Sequence, residues 1–209
     1  MTMPKLKLSY FDAHGGRGEP ARLALSIAGI AFEDDRIPGA DWPKRKPSTP
    51  FGALPVLEVD GRVLTQSGAI NRYVGKLADL YPTDPWQAAL CDEVIDAVED
   101  VDVKIGATFG MTEEQKQVER PKLASGPIPL YLRGLQTLLE AHGGEYFAGG
   151  RLSIADLKVF VFVRRLQSGK LDYMPTDLPD RLAPKLVAHC QRIKNLPGVK
   201  AYYAKHGVT

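Results

Sequence analysis

The sequence predicts a two-part fold, an α/β N-terminal domain over residues 1–82 followed by an all-α C-terminal domain over residues 83–209. Strand and helix patterns alternate as far as Leu77. The punctuated run Tyr81-Pro82-Thr83-Asp84-Pro85 then interrupts the chain, and every periodic segment beyond it is helical.

In Lys5-Leu6-Lys7-Leu8-Ser9-Tyr10 the residues Leu6, Leu8 and Tyr10 share one face, which is strand periodicity. Gly15-Gly16-Arg17-Gly18 breaks it, and a helix follows from about Glu19, with Pro20 suited to a first turn and Gly29 to the C-terminus. Phe32 to Ile37 reads as a second strand despite its charge. From Pro38 to Gly52, Trp42 and three internal prolines (Pro43, Pro47, Pro50) indicate irregular structure around a short helix. Leu54 to Val59 and Arg62 to Thr65 are strands, and Asp60-Gly61 between them is a strong hairpin signal. Ser67 can then cap a helix whose stripe is Ile70, Tyr73, Val74 and Leu77. The order β-α-β, connection, β-β-α is a thioredoxin-like arrangement. In the second half Leu90, Val94, Val98, Val101 and Ile105 step at helical intervals, as do Leu132, Leu135, Leu138 and Leu139. Ser153-Ile154-Ala155-Asp156 has the shape of a capping box, and Val159 to Val163 is apolar nearly all round, so it predicts a buried central helix.

Composition excludes several classes of function. The formal charge of +2 supplies no field for nucleic acid, and the run Lys44-Arg45-Lys46 is too short to be a basic arm. No apolar stretch approaches the roughly 20 residues of a membrane span. Met1-Thr2-Met3-Pro4-Lys5 lacks the apolar segment of a secretory signal. Cys91 and Cys190 match no metal or redox spacing, and two free thiols suit a reducing compartment, so the expectation is cytoplasmic. The four histidines are scattered, and no nucleophilic triad, metal cluster or Walker-type loop is present.

A few residues carry possible chemistry. Pro55 opens what should be an internal strand, where proline spoils pairing. A cis Leu54-Pro55 bond resolves this by turning the backbone of Leu54 outward to pair with an extended peptide; an ordinary trans proline at an edge is the alternative. Tyr10 ends the first strand, where ligands of open α/β sheets bind, and its hydroxyl is able to donate to an anion; plain aromatic packing is the alternative. Gln66-Ser67 opens a helix whose free N–H groups favour a carboxylate, although any N-cap does this. Trp42 and Lys46 offer a wall and a cation, or else a solvated basic loop with one buried ring. Asp92, Asp96 and Asp100 recur every four residues, which reads as a solvated acidic face with at least one member able to meet a cation across an interface.

Together these blocks resemble the cytosolic glutathione transferases, most closely the sigma class and the similar helminth 28-kDa enzymes. The resemblance spans the chain and rests on Leu8-Ser9-Tyr10-Phe11, Gly16-Arg17-Gly18-Glu19, Phe32 to Ile37, Ala40 to Pro47, Leu54 to Gly61, Gln66-Ser67 and Ser153 to Asp156. It implies that Tyr10 stabilises the glutathione thiolate with Arg17 nearby, and that Leu54 before cis-Pro55 pairs with the cysteinyl backbone. It further implies that Gln66 and Ser67 hold the γ-glutamyl carboxylate, that Trp42 and Lys46 bind the glycine end, and that Gly52 and Ala53 line the path. Asp100 matches a carboxylate that reaches glutathione from the neighbouring subunit of a homodimer. Phe11, His14, Phe109 and Met111 would wall the pocket for small hydrophobic electrophiles. Glutathione is then a co-substrate, no metal is needed, and the reaction is conjugation of the detoxifying kind. In one respect the chain departs from the pattern: Arg17 follows Tyr10 by seven positions, one more than in the sigma class. Two rival readings share the resemblance. One is a glutathione-dependent prostaglandin D synthase, whose characteristic tryptophan, tyrosine and cysteine correspond here to Ala107, Lys158 and Phe162. The other is a non-catalytic relative, such as the lens S-crystallins or a ligand carrier.

Overall fold

The computed structural model describes residues 3–208. Met1 and Thr2, the start of the segment read for a signal, and Thr209, the last residue of the expected helical domain, lie outside it. The chain forms two compact units, Met1–Tyr81 with Pro197–Thr209, and Pro82–Leu196.

In the first unit, strands β1 (Leu6–Phe11), β2 (Glu33–Ile37), β3 (Val56–Val59) and β4 (Arg62–Thr65) form one sheet of order β2-β1-β3-β4. β1 runs parallel to β2 and antiparallel to β3. Alternation in β1 buries Leu6, Leu8 and Tyr10, so the last inward residue of this central strand is the tyrosine. Every charged side chain of the edge strand β2 has a partner. Glu33 pairs with Lys7 at 3.2 Å, Asp34 with Arg22 at 2.8 Å and Arg36 at 2.7 Å, and Asp35 accepts from Ser9 at 2.7 Å and Arg45 at 2.6 Å. These pairs explain why a segment spelled Glu-Asp-Asp-Arg-Ile forms a strand. Asp60 and Gly61, at φ 50° and 79°, make the expected two-residue hairpin turn.

Helices α1 (Glu19–Ile27), α2 (Trp42–Arg45) and α3 (Ser67–Leu77) complete the βαβ-ββα order. The N-cap of α3 is Gln66 rather than Ser67, which is the first helical residue. The sequence reading ended this domain at residue 82 and gave everything beyond it to the helical domain. The last helix differs, belonging by its contacts to the sheet unit. Gly198 has no side chain, and a Cβ there would stand only 3.0 Å from Ile27 Cγ1, so the final turn of α1 is approached by bare backbone.

The second unit holds α4 (Pro85–Gly106), α5 (Glu113–Ser125), α6 (Pro127–Ala141), α7 (Ile154–Gln167), α8 (Leu178–Leu182) and α9 (Pro184–Asn195); α10 (Pro197–Lys205) is the helix grouped with the sheet. As the sequence predicts, α7 is the central helix and is buried from Ile154 to Val163. Its start is fixed by Asp156, which is fully buried. One carboxylate oxygen accepts from the Ser153 N–H (2.7 Å) and hydroxyl (2.6 Å); the other accepts from the Phe147 N–H (3.0 Å) and stands 2.9 Å from His189 Nε2 on α9. Periodicity did not reveal Lys158, which is buried in α7 and paired with Glu99 and, at 3.4 Å, Asp102; Arg165 also meets Asp102. Replacing Asp156 by Ala strands several buried donors, so Asp156→Ala should lower stability by at least about 2–3 kcal/mol in chemical denaturation.

Candidate active site

The end of β1 is built around one ring. Tyr10 forms a small core with Ile37 and Leu54, against which Phe11, Trp42 and Val56 pack. Edge-to-face contacts run from Tyr10 to Phe11 (5.4 Å between centroids) and from Phe11 to Trp42 (5.5 Å). Only 8% of Tyr10 is exposed, and its hydroxyl accepts a hydrogen bond from the backbone N–H of Arg17 at 3.0 Å. The loop that delivers this N–H is shaped by its glycines. Gly15 and Gly16 sit at φ 116° and 69°; a Cβ on Gly16 would stand 2.5 Å from the Tyr10 hydroxyl oxygen, and one on Gly18 would stand 2.4 Å from Tyr10 Cγ.

Sequence reasoning missed the residue that fixes the base of this loop. Arg22, fully buried on α1, donates to the carbonyls of Ala13 (2.9 Å) and Phe11 (3.2 Å) and lies 5.5 Å from the Tyr10 ring centroid. Its only signal in the sequence is its place two residues beyond Pro20, inside an otherwise apolar helix face.

The Leu54–Pro55 bond is cis. β3 therefore begins at Val56, and the pairing of Val56 with Thr65 brings Pro55 and Gln66 to the same end of the hairpin. Gln66 is exposed and holds φ 69°, a backbone region that side-chain-bearing residues rarely adopt and that clusters at functional sites. Ser67 follows it, buried in the first turn of α3. Lys46 is exposed, and its stem lies over Gly52: a Cβ on Gly52, at φ 58°, would come within 3.3 Å of Lys46 Cε. Ala53 is exposed beside them. The first unit thus gathers Tyr10, Phe11, Trp42 and Leu54 in one cluster, with the Arg17 amide on the tyrosine hydroxyl.

The remaining candidates have other surroundings. His14 is half-buried: its Nδ1 lies 3.3 Å from Glu19 Oε1, and its ring packs against Tyr202, Tyr203 and His206 of the C-terminal segment. Burial lowers its pKa against the pull of Glu19, with Arg36 and His206 acting in the same direction as burial. In the second unit Asp100 is exposed on α4 and accepts from the Tyr131 hydroxyl at 3.0 Å. Phe109 and Met111 lie in the turn after α4, Phe109 exposed and stacked over the buried Arg120 guanidinium at 5.6 Å. Both cysteines are buried; burial pushes the Cys91 thiol up to about 12 and the Cys190 thiol upward as well, which disfavours their thiolates at neutral pH.

A tyrosine at the end of a central strand, a cis-proline turn and a left-handed residue opening a helix lie on a sheet with the thioredoxin-like arrangement that the sequence predicts. Comparison with known proteins agrees. The family descriptions "Glutathione S-transferase, N-terminal domain" and "Glutathione S-transferase, C-terminal domain" match residues 6–76 and 99–206. Glutathione S-transferase 1 of Ascaris suum is 35% identical over 99% of both chains. The solved prostaglandin synthase D of Nilaparvata lugens is 34% identical, with a TM-score of 0.86 over 99% of this chain and 100% of its own. A monomeric glutathione S-transferase of the hookworm Necator americanus is 30% identical, with a TM-score of 0.79 over 96% of this chain and 97% of its own. The chain belongs to the glutathione S-transferase family, and it is a glutathione transferase.

Two outcomes follow from the geometry. Gly16→Ala forces both a strained φ and a collision with the hydroxyl, so kcat/KM should fall at least about tenfold, with a stability loss of roughly 1–2 kcal/mol. His14 is a histidine whose folded pKa is depressed. Its contribution to stability is therefore full above about 6.5, the unfolded value, and is lost as pH falls through the lower folded value. Melting temperatures measured from pH 7.5 down to pH 5 should decline more steeply for the natural protein than for His14→Gln.

Proposed function

We propose that Tyr10 donates a hydrogen bond to the sulfur of bound glutathione and holds it as the thiolate that attacks electrophilic carbon. The observation that carries this reading is the Tyr10 hydroxyl accepting the Arg17 N–H at the end of β1. A hydroxyl that accepts at its oxygen is polarised and becomes a better donor through its own proton. A free thiol with a pKa near 8.5 is only roughly 3% thiolate at pH 7. Lowering that pKa by about two units requires roughly 2.7 kcal/mol of preference for the anion. One charge-assisted hydrogen bond, worth about 1.5–3 kcal/mol, supplies most of it.

The other contacts are those that membership of the family implies for the matching positions. The outward backbone of Leu54 at cis-Pro55 pairs with the cysteinyl residue of the tripeptide. Gln66 and Ser67, at the N-terminus of α3, take the γ-glutamyl carboxylate. Trp42 and Lys46 take the glycine carboxylate, with Gly52 and Ala53 along the path. Arg17 acts here through its backbone amide, which suits a loop lengthened by one residue. Phe11, packed against the Tyr10 ring, supplies apolar surface to the electrophile. The thiol proton leaves to solvent, the sulfur–carbon bond forms, and a halide departs; with an unsaturated carbonyl, the adjacent carbon takes up a proton instead.

We place the chain in the sigma-like part of the family, in the cytoplasm and as a homodimer in which Asp100 reaches the partner's glutathione. Among the described residues no helix is long and apolar enough to cross a membrane. The monomeric hookworm relative is the counter-example, so sedimentation at micromolar concentration decides the dimer. Prostaglandin isomerisation remains a second reading because of the Nilaparvata relative. Against it, the position of its characteristic tyrosine is held here by Lys158, which is engaged by Glu99 and Asp102.

Tyr10→Phe should keep glutathione affinity within about twofold yet lower kcat/KM toward an aromatic halide about ten- to a hundredfold near pH 7. Steady-state kinetics with a panel of electrophiles tests this, and unchanged turnover would remove Tyr10 from the chemistry.

A further inference from the structure

The Tyr10 hydroxyl depends on a loop that has little means of holding its own shape. Arg22 pins the chain at the Ala13 carbonyl, and Arg17 must then offer its N–H to the phenol. Between them stand His14, Gly15 and Gly16, the two glycines both at positive φ. Glycine has the largest backbone freedom to lose and no side chain to grip. The only side chain in this span that can be held is His14.

It is held from three sides within the first unit. From α1, the buried Glu19 carboxylate lies 3.3 Å from Nδ1, which makes Nδ1 the protonated nitrogen. From β2, Arg36 Nη1 stands 3.5 Å from Nε2. From the C-terminal segment come Tyr202 (5.9 Å between ring centroids), Tyr203 (6.1 Å) and His206 (5.1 Å). That segment is itself fixed. Tyr202 and Tyr203 pack edge-on at 5.0 Å, and Arg36 Nη2 donates to the Tyr202 hydroxyl at 3.4 Å. His206 Nδ1 donates to the Tyr202 carbonyl at 2.8 Å.

We propose that His14 is a positioning residue: clasped between Glu19 and the Tyr202–His206 end of the C-terminal segment, it sets the loop that brings the Arg17 amide to the Tyr10 hydroxyl. The C-terminal segment thereby acts on the chemistry at β1 without touching substrate. This assigns the His14 side chain to the support of the site rather than to the wall of the electrophile pocket. The proposal rests on the reading of Tyr10 as the thiolate stabiliser.

The test is the pH titration of the bound glutathione thiolate, followed by its ultraviolet absorbance, together with steady-state kinetics. The proteins needed are the natural one, Tyr10→Phe, His14→Ala, His206→Ala and the double variant Tyr10→Phe/His14→Ala. His14→Ala and His206→Ala should each raise the thiol pKa and lower kcat/KM about three- to tenfold, with the KM for glutathione changed less than about twofold. In the Tyr10→Phe background, His14→Ala should add almost nothing, because the group it positions is already gone. The proposal falls if both single variants titrate like the natural protein. It also falls if His14→Ala is as damaging without the phenol as with it. His206→Ala leaves the loop sequence intact, so it decides the matter alone if His14→Ala does not fold. A Tyr10→Phe protein that titrates like the natural one overturns the underlying reading, a result distinct from failure of the histidine variants alone.

Discussion

The first unit is organised by the need to bury an aromatic ring while giving its hydroxyl a hydrogen-bond partner at the end of the central strand. Tyr10 meets this at the end of the central strand β1: its ring packs with Ile37 and Leu54, and its oxygen receives the Arg17 N–H. The surroundings are matched to that ring. Gly16 and Gly18 are bare where any Cβ would overlap it, and Arg22 ties down the two carbonyls just beyond it. A buried arginine is costly unless its donors are satisfied, and here the carboxylate of Asp34 and the loop carbonyls satisfy them. The charged spelling of β2 thus supports the site as well as the sheet.

The second unit solves a different problem. An all-round apolar helix needs a defined start and a defined register. Asp156 supplies the start by collecting donors from the helix terminus, from the segment before it and from α9. Glu99 and Asp102 against Lys158 and Arg165 match the charges of α4 and α7 in two places. Apolar packing has little preference for register, whereas a buried lysine without its carboxylates is strongly unfavourable, so such pairs select one alignment.

Much of this was legible in the sequence. Period-two and helical stripes located β1, α1, α3, α4, α6 and α7 but not α5, α8, α9 or α10; Asp60-Gly61 located the hairpin, and Ser153 to Asp156 the start of the central helix. Pro55 at the head of a strand raised the cis turn, with a trans proline at an edge as the alternative, and the bond is cis. Tyr10 was legible as the last inward residue of the first strand, by the alternation of Leu6, Leu8 and Tyr10. The supporting shell was not. Periodicity reports which face is buried, not which polar groups meet on it, so the partners of Arg22, Lys158 and the Glu19 carboxylate could not be read from it. Nor could local pattern place α10 beside α1: the contact of Gly198 with Ile27 joins residues far apart in the chain.

The seclusion of Cys91 and Cys190 has a chemical consequence of its own. A protein whose trade is carbon–sulfur bond formation is bathed in reagents that would alkylate any accessible thiolate, its own included. With both cysteine sulfurs enclosed in the helical unit and burial disfavouring their ionised form, the thiolate such reagents meet is the one brought in from solution. The catalyst is thereby protected from becoming its own substrate.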